Sequence, residues 1–307
     1  MAVIAAPTGA QAMGKGLSNK PGDNRWASMG GRRVLLASGI AEGAQILLER
    51  DFAAIEKLEF AQPDPELLRV LGIREASSVE LTRWMSERMG YIVSADEELT
   101  PVYGGAAVYP YPDQLPEDGG SAGLAMPGTH GANGNVIMSN DGVDLYAAAK
   151  KRARRVSVVL PGAGALEIGS PRVGLFRIGP ALFDPNYYYK RDHFVIAPDS
   201  RLASLKRITT LFHEARHSDG HGRSLGFSHG LCPRGHALQG AYACDRSANG
   251  AYAVGALVAG AVLESCKDCD AHERAVLSVL ASDSWDRVLV EAGAAGAAYW
   301  DAEPETL

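Results

Sequence analysis

Apolar residues recur at different intervals along this chain, and the changes of interval divide it into three parts. From about residue 31 to 92 the spacing is helical. Ile40 to Leu58 keeps apolar residues on one helix face, Pro63 to Leu71 restarts after a proline, and Ser78 to Met89 opens with serine and an early glutamate, as a capped helix does. This predicts a helical N-terminal layer. Between Tyr91 and Ser200, Gly, Pro and Asn-Gly punctuation separates short β-rich runs. Strands are predicted at Asn135 to Met138, Arg155 to Leu160, Val173 to Ile178 and His193 to Ile196, with one helix at Asp144 to Arg154 and a long Pro/Gly-rich loop over Tyr109 to Gly134. Gly162 and Gly164 read as turn residues rather than as a phosphate loop, because no helical pattern follows them.

Residues 201 to 217 return to helical spacing. Leu202, Leu205, Ile208, Phe212 and Ala215 form one stripe, Ser200 is placed to cap it, and Asp219-Gly220 should stop it. After a Gly- and His-rich loop, Asn249 to Ser265 predicts a helix of small residues, and two more helices, Ala271 to Ala281 and Trp285 to Ala292, close the chain. The expectation is an α+β fold with a small, mostly antiparallel sheet. A single domain over 31–307 (helical 31–92, sheet-rich 93–200, helical 201–307) follows a disordered leader or export-signal remnant over 1–30. The leader reading rests on Ala/Gly/Pro-rich composition and on Ala10-Gln11-Ala12, a signal-peptidase-like ending; no Lys or Arg precedes it and Pro7 interrupts the apolar run.

With 46% hydrophobic and 21% charged residues in 307, the chain can bury a proper core. A net charge of −6 gives no footprint for nucleic acid. The one dense basic stretch, Lys150 to Arg155, reads as a solvated helix end entering a strand. Ala251 to Leu263, the longest apolar segment, is too short to span a bilayer. All four cysteines fall in the last quarter, which suggests an oxidising compartment, periplasmic or extracellular, and two disulfides, most simply Cys232 with Cys244 and Cys266 with Cys269. Free thiols, a structural Cys₄ zinc site and a redox pair at Cys266–Cys269 rank behind.

The chemistry-bearing string is His213-Glu214-Ala215-Arg216-His217, at the end of the third helical stripe. Residues four apart share a helix face, so His213 and His217 can grip one metal ion with Glu214 beside it. With 8 histidines in the chain, chance would produce H-E-x-x-H about once in 80 such sequences. A catalytic zinc site needs a third protein ligand and one open position. His229 is favoured for the third, being flanked by Gly230 and tied down by Cys232; Asp245 and His221 follow, then Glu264 and His236. Asp245 also reads as an N-cap near Ser247, and Asp245 or Asp219 could orient a metal-bound imidazole from behind. Tyr242, Tyr252 and His236 are candidates to stabilise an oxyanion, and Tyr187 to Tyr189 could line a cleft.

The string and the helix carrying it resemble the zincin superfamily of zinc metallopeptidases, over about 50 residues. Leu211 and Phe212 before the first histidine fit; Arg216, a charged residue inside the motif, departs from the pattern. The resemblance implies a zincin-like fold with the motif helix below a sheet, one zinc on His213 and His217, Glu214 as general base, and a peptide or protein substrate. Gly220 and then Arg223, where the metzincin branch has its last histidine, make the chain no ordinary metzincin. The rival expectation is a non-catalytic envelope or binding protein with a structural or degenerate zinc site; a zinc amidase acting on cell-wall peptides is a third.

Overall fold

The computed structural model describes residues 22–60, 62–94, 100–103, 106–107, 138–140, 155–160, 164–169, 174–179, 182–183, 197–219, 227 and 229–289. Within them the fold is mixed α and β, with six helices and a five-stranded mixed sheet as its main layers. No described helix is long and apolar enough to cross a membrane.

The chain enters as a hairpin, β1 (Arg25–Met29) and β2 (Arg32–Leu36), turned by Gly30-Gly31 with both glycines at positive φ. Both strands correct the sequence reading, since β1 falls inside the expected leader and β2 inside the expected helical layer. Their alternation was present but short. In β1, Ala27 and Met29 point into the core while Trp26 lies half-exposed under the Arg33 guanidinium.

Three helices follow, close to their expected places: α1 (Glu42–Ile55), α2 (Pro65–Leu71) and α3 (Ser78–Ser86). The Asp64 side chain accepts from Glu66 N to start α2, Ser77 does the same for α3 through Glu80 N, and Gly72 ends α2 in the left-handed conformation. β3 (Tyr91–Ser94) then joins β2 in parallel and β9 (Leu175–Ile178) in parallel; β6 (Met138–Asn140) closes the sheet antiparallel to β9. The order β1-β2-β3-β9-β6 is therefore mixed, not mostly antiparallel.

A second sheet, β4 (Thr100–Tyr103), β5 (Ala106–Ala107), β7 (Arg155–Leu160) and β8 (Gly164–Gly169), is antiparallel throughout. The β7–β8 pairing begins its return at Gly164, in accord with the turn reading of that glycine. The helix expected at Asp144 to Arg154, the strand expected at His193 to Ile196, the loop over Tyr109 to Gly134 and Tyr187 to Tyr189 lie outside the described residues.

The long helix α4 (Arg201–His217) carries the motif, and Ser200 caps it through Ala203 N, as expected. Its apolar stripe packs into the main core, where Phe212 stacks on Trp84 of α3 at 5.6 Å between ring centroids. Two polar ties fix its ends. Near its start, Arg207 of α4 donates to both oxygens of Asp51 in α1, at 2.6 and 3.1 Å, and Ser204 adds a third bond at 2.6 Å. At its finish, Ser218 Oγ donates to Arg88 O before β3 and accepts from Gly174 N before β9. Gly174 has φ +61 and a side chain there would meet Arg88 O at 2.7 Å, so glycine alone lets α4, β3 and β9 converge.

A two-stranded hairpin, β10 (Gly230–Leu231) with β11 (Tyr242–Cys244), leads to α5 (Ala251–Ser265), which packs against α4 and α6 (Ala271–Asp286). α6 is one helix where two were expected. No Gly or Pro interrupts Ala281 to Asp286, so it runs through Trp285; after it, Val288 forms a parallel bridge with Asp245. The disulfides are Cys232–Cys244, across the β10–β11 hairpin, and Cys266–Cys269, at the α5–α6 turn, with Cα separations of 5.2 and 5.4 Å.

Candidate metal centre

The last turns of α4 hold His213 and His217 on one face, and the chain returns through Phe227 to bring His229 against them. Ligand nitrogens of the three lie within 4.8 Å of one another, and His213 Nε2 stands 3.2 Å from His229 Nε2. Two nitrogens bound at about 2.0–2.1 Å to one tetrahedral ion would be about 3.3 Å apart, so the spacing fits a shared cation. Among the described residues this cluster contains three donors and no fourth.

Each ring is aimed by what it does with its other nitrogen or its neighbours. His217 Nδ1 donates to the Phe227 carbonyl at 2.6 Å, and His229 Nδ1 donates to Asp245 Oδ1 at 2.9 Å. A carbonyl and a carboxylate only accept, so each ring carries a proton on Nδ1 and turns its Nε2 inward. His213 hydrogen-bonds with the Ala251 backbone, and its ring lies edge-on to Tyr252 at 4.5 Å. Tyr252 also stacks on His229 at 4.4 Å, so one phenol holds two of the three imidazoles.

Burial sets the protonation. It pushes the pKa of His213 far below the ordinary imidazole value, assisted by the neighbouring His217, His229 and Arg287; burial and then His229 do the same for His217. Neutral imidazoles with inward lone pairs are the form that binds metal. Burial also raises the Tyr252 phenol, against the nearby Arg287, so the hydroxyl stays protonated. Arg287 Nη1 donates to the Tyr252 oxygen at 2.7 Å.

Glu214 is buried on the same helix, its two carboxylate oxygens 4.0 Å from His213 Nε2 and 3.9 Å from His217 Nε2. It borders the donors without being counted among them.

Asp245 has a double part. Its Oδ1 holds His229, while its Oδ2 accepts from Tyr252 N and Ala253 N in the first turn of α5. It therefore stands behind the cluster, as the orienting role foresaw, and is not a donor within it. Nor is it the N-cap: that position is Gly250, which has no side chain to offer, and Asp245 serves the same amides from outside the helix. A Cβ on Gly250 would meet Asp245 Oδ2 at 2.2 Å, so glycine permits this close approach.

The other candidates are elsewhere. Glu264 is exposed at the far end of α5. Asp219 accepts from Arg88 and Arg216. His236 lies beside the Cys232–Cys244 bridge, with its Nε2 bonded to Asp286 O and its Nδ1 accepting from Leu238 N. Cys232, His236 and Cys244 have metal-like spacing, but the sulfurs are joined to each other and both His236 nitrogens are engaged, so the histidine triad is the better donor set. His221 and the Tyr242 side chain lie outside the described residues.

Sequence reasoning missed Arg287. Nothing in Asp286-Arg287-Val288 signals a partner for Tyr252, because the contact arises from Val288 bridging back to Asp245.

Fold and site together define an α+β protein with a partly buried three-histidine cluster on and beside an H-E-x-x-H helix, able to hold a metal ion. Comparisons with protein-family models, curated proteins and solved structures find no match.

Proposed function

We propose that this protein is an exported zinc-dependent hydrolase acting on peptide bonds, with His213, His217 and His229 as metal ligands and Glu214 as general base. The observation that carries the reading is the convergence of His229 on the motif pair, with ring nitrogens of all three within 4.8 Å of one another and the Glu214 carboxylate 3.9–4.0 Å from the two motif histidines. Imidazole-only sites with a position left for water suit zinc. When bound, zinc lowers the pKa of its water to about 7 and polarises a carbonyl oxygen.

The chain's own residues do the rest. Glu214 accepts the proton of the attacking water and returns it to the leaving amine. Asp245 and the Phe227 carbonyl keep His229 and His217 in the required tautomer. Because the Tyr252 oxygen accepts from Arg287, its own proton remains for donation to a substrate carbonyl oxygen, a means of stabilising developing negative charge. Export accords with the two disulfides.

A structural ion is the second reading, and the burial of His217 and Glu214 favours it. One comparison separates the two. Glu214→Gln should keep fold and zinc content and lower peptide or cell-wall-fragment cleavage by about 10² to 10⁴-fold, or about 3–5 kcal/mol of barrier. Equal cleavage by variant and wild type removes Glu214 from the chemistry; zinc-loaded wild type that cleaves nothing across a broad panel leaves the structural ion.

A further inference from the structure

Arg216 is the residue that departs from the motif pattern, and it is among the most deeply buried side chains in the protein, at 1% exposure. A guanidinium taken out of water is costly unless its surroundings use it. Its described contacts join three segments around the cluster. Nη1 donates to Asp219 Oδ2 at 2.8 Å just past α4, and Nε donates to Asn249 O at 2.9 Å just before α5. Its flat face covers the Phe227 ring at 3.7 Å, on the segment that returns to His229.

Phe227 is where these contacts reach the histidines. Its carbonyl accepts from His217 Nδ1, and two residues further on stands His229. Moving the Phe227 backbone would disturb the 2.6 Å bond that selects the His217 tautomer. A histidine protonated on Nε2 instead would present N–H, not a lone pair, to the cluster.

Resting on the metal-holding reading of the cluster, we propose that Arg216 is a positioning residue: by stacking on Phe227 it holds that carbonyl against His217 and so keeps the second motif histidine in its ligand tautomer. The arginine does not touch substrate or metal. It acts through Phe227. A small apolar residue at 216 would leave the Phe227 ring uncovered, and a lysine would keep the charge beside Asp219 without the flat face or the Nε donor.

The test has two independent readouts on the full chain. In metal-free protein labelled with ¹⁵N-histidine, nitrogen NMR should show His217 as the Nδ1–H tautomer. Arg216→Met, Arg216→Lys and Phe227→Leu should each raise the Nε2–H population. The same variants should bind Zn²⁺ about 10- to 100-fold more weakly than wild type, the usual consequence of disturbing an outer partner of a ligand, and change the visible spectrum of the Co²⁺-substituted protein. Phe227→Leu, away from the buried ion pair, covers the case in which an Arg216 variant does not fold. Arg216→Met and Phe227→Leu combined should cost less than the sum of the two, as residues acting in one chain of contacts do. Wild-type tautomer and wild-type affinity in Phe227→Leu and in either folded Arg216 variant would overturn the proposal, as would full rescue by lysine. A tautomer shift in the variants of a wild type that takes up no Zn²⁺ would instead refute the metal reading while leaving the positioning role standing.

Discussion

Helix α4 carries two buried polar centres less than two turns apart, and they are built on opposite principles. At its N-terminal half, Arg207 and Asp51 are 2% and 0% exposed, and their charges are answered by each other, by Ser204 and by the Pro198 carbonyl. Nothing there is left over for a ligand. At its C-terminal end, His217 and the adjoining His229 use the Nδ1 side for the protein and turn the Nε2 side toward a common point with His213. A closed centre locks α1 to α4 and is scaffold; an open one, held from behind with its ring nitrogens gathered in front, could hold a cation.

The largest difference should appear on deleting a donor. His213→Ala and His217→Ala should each abolish stoichiometric zinc, measured by elemental analysis of purified protein, while leaving the chain folded. Undiminished metal in both would close the supposed open centre and collapse the contrast. Next in size is the ion pair. Arg207→Ala strands a carboxylate in the core, so it should destabilise by about 3–5 kcal/mol in chemical denaturation, with the donors of the surviving folded protein still binding metal. If unfolding is unchanged, the Asp51 centre is not scaffold.

A smaller effect tests the back of the open centre. Asp245→Asn keeps an oxygen for the α5 amides but removes the charge facing His229, and zinc affinity should fall about 10- to 100-fold with little change in helix content by circular dichroism. Retained affinity would mean that α5 capping is its whole task. The smallest effect is with pH. The folded-state pKa values of His213 and His217 lie below the ordinary 6.5. Their contribution to stability is therefore complete above that value and is lost as pH falls below it, because the unfolded chain takes up protons first. Metal-free protein should melt lower at about pH 5.5 than at about pH 7.5, and metal should leave over the same window. His213→Ala should flatten the slope; an unchanged slope assigns it to other groups.

Much of the open centre was legible because it obeys local rules. The spacing of His213 and His217, the Ser200 cap and the glycine-flanked, cysteine-tethered His229 are all visible within short windows. Cysteine pairing was legible for the same reason, each partner lying 12 or 3 residues away. The closed centre was not, since Asp51 and Arg207 are 156 residues apart and each alone looks like a surface charge. The β1–β2 hairpin escaped because five-residue strands bearing arginines show too few periods to outweigh the Ala/Gly-rich stretch before them. The sequence around Asp245 allows a ligand, a cap or an orienting partner alike; the fold sets one of its oxygens on His229 and the other on helix amides.

The bridge beyond α6 gives the site a place in time as well as in space. Asp245 N donates to Arg287 O, and Leu289 N donates to Asp245 O, so the strand segment that steadies the His229 partner is itself paired with residues 42 to 44 positions downstream. A ribosome that has just released the motif helix has delivered two histidines and their glutamate. It has not yet delivered the backbone that steadies Asp245, nor Arg287 behind Tyr252. During synthesis the nascent chain thus passes through a long interval in which the motif is complete as a string while the framework behind the three histidines is not, and that framework closes only when nearly the whole described chain has emerged.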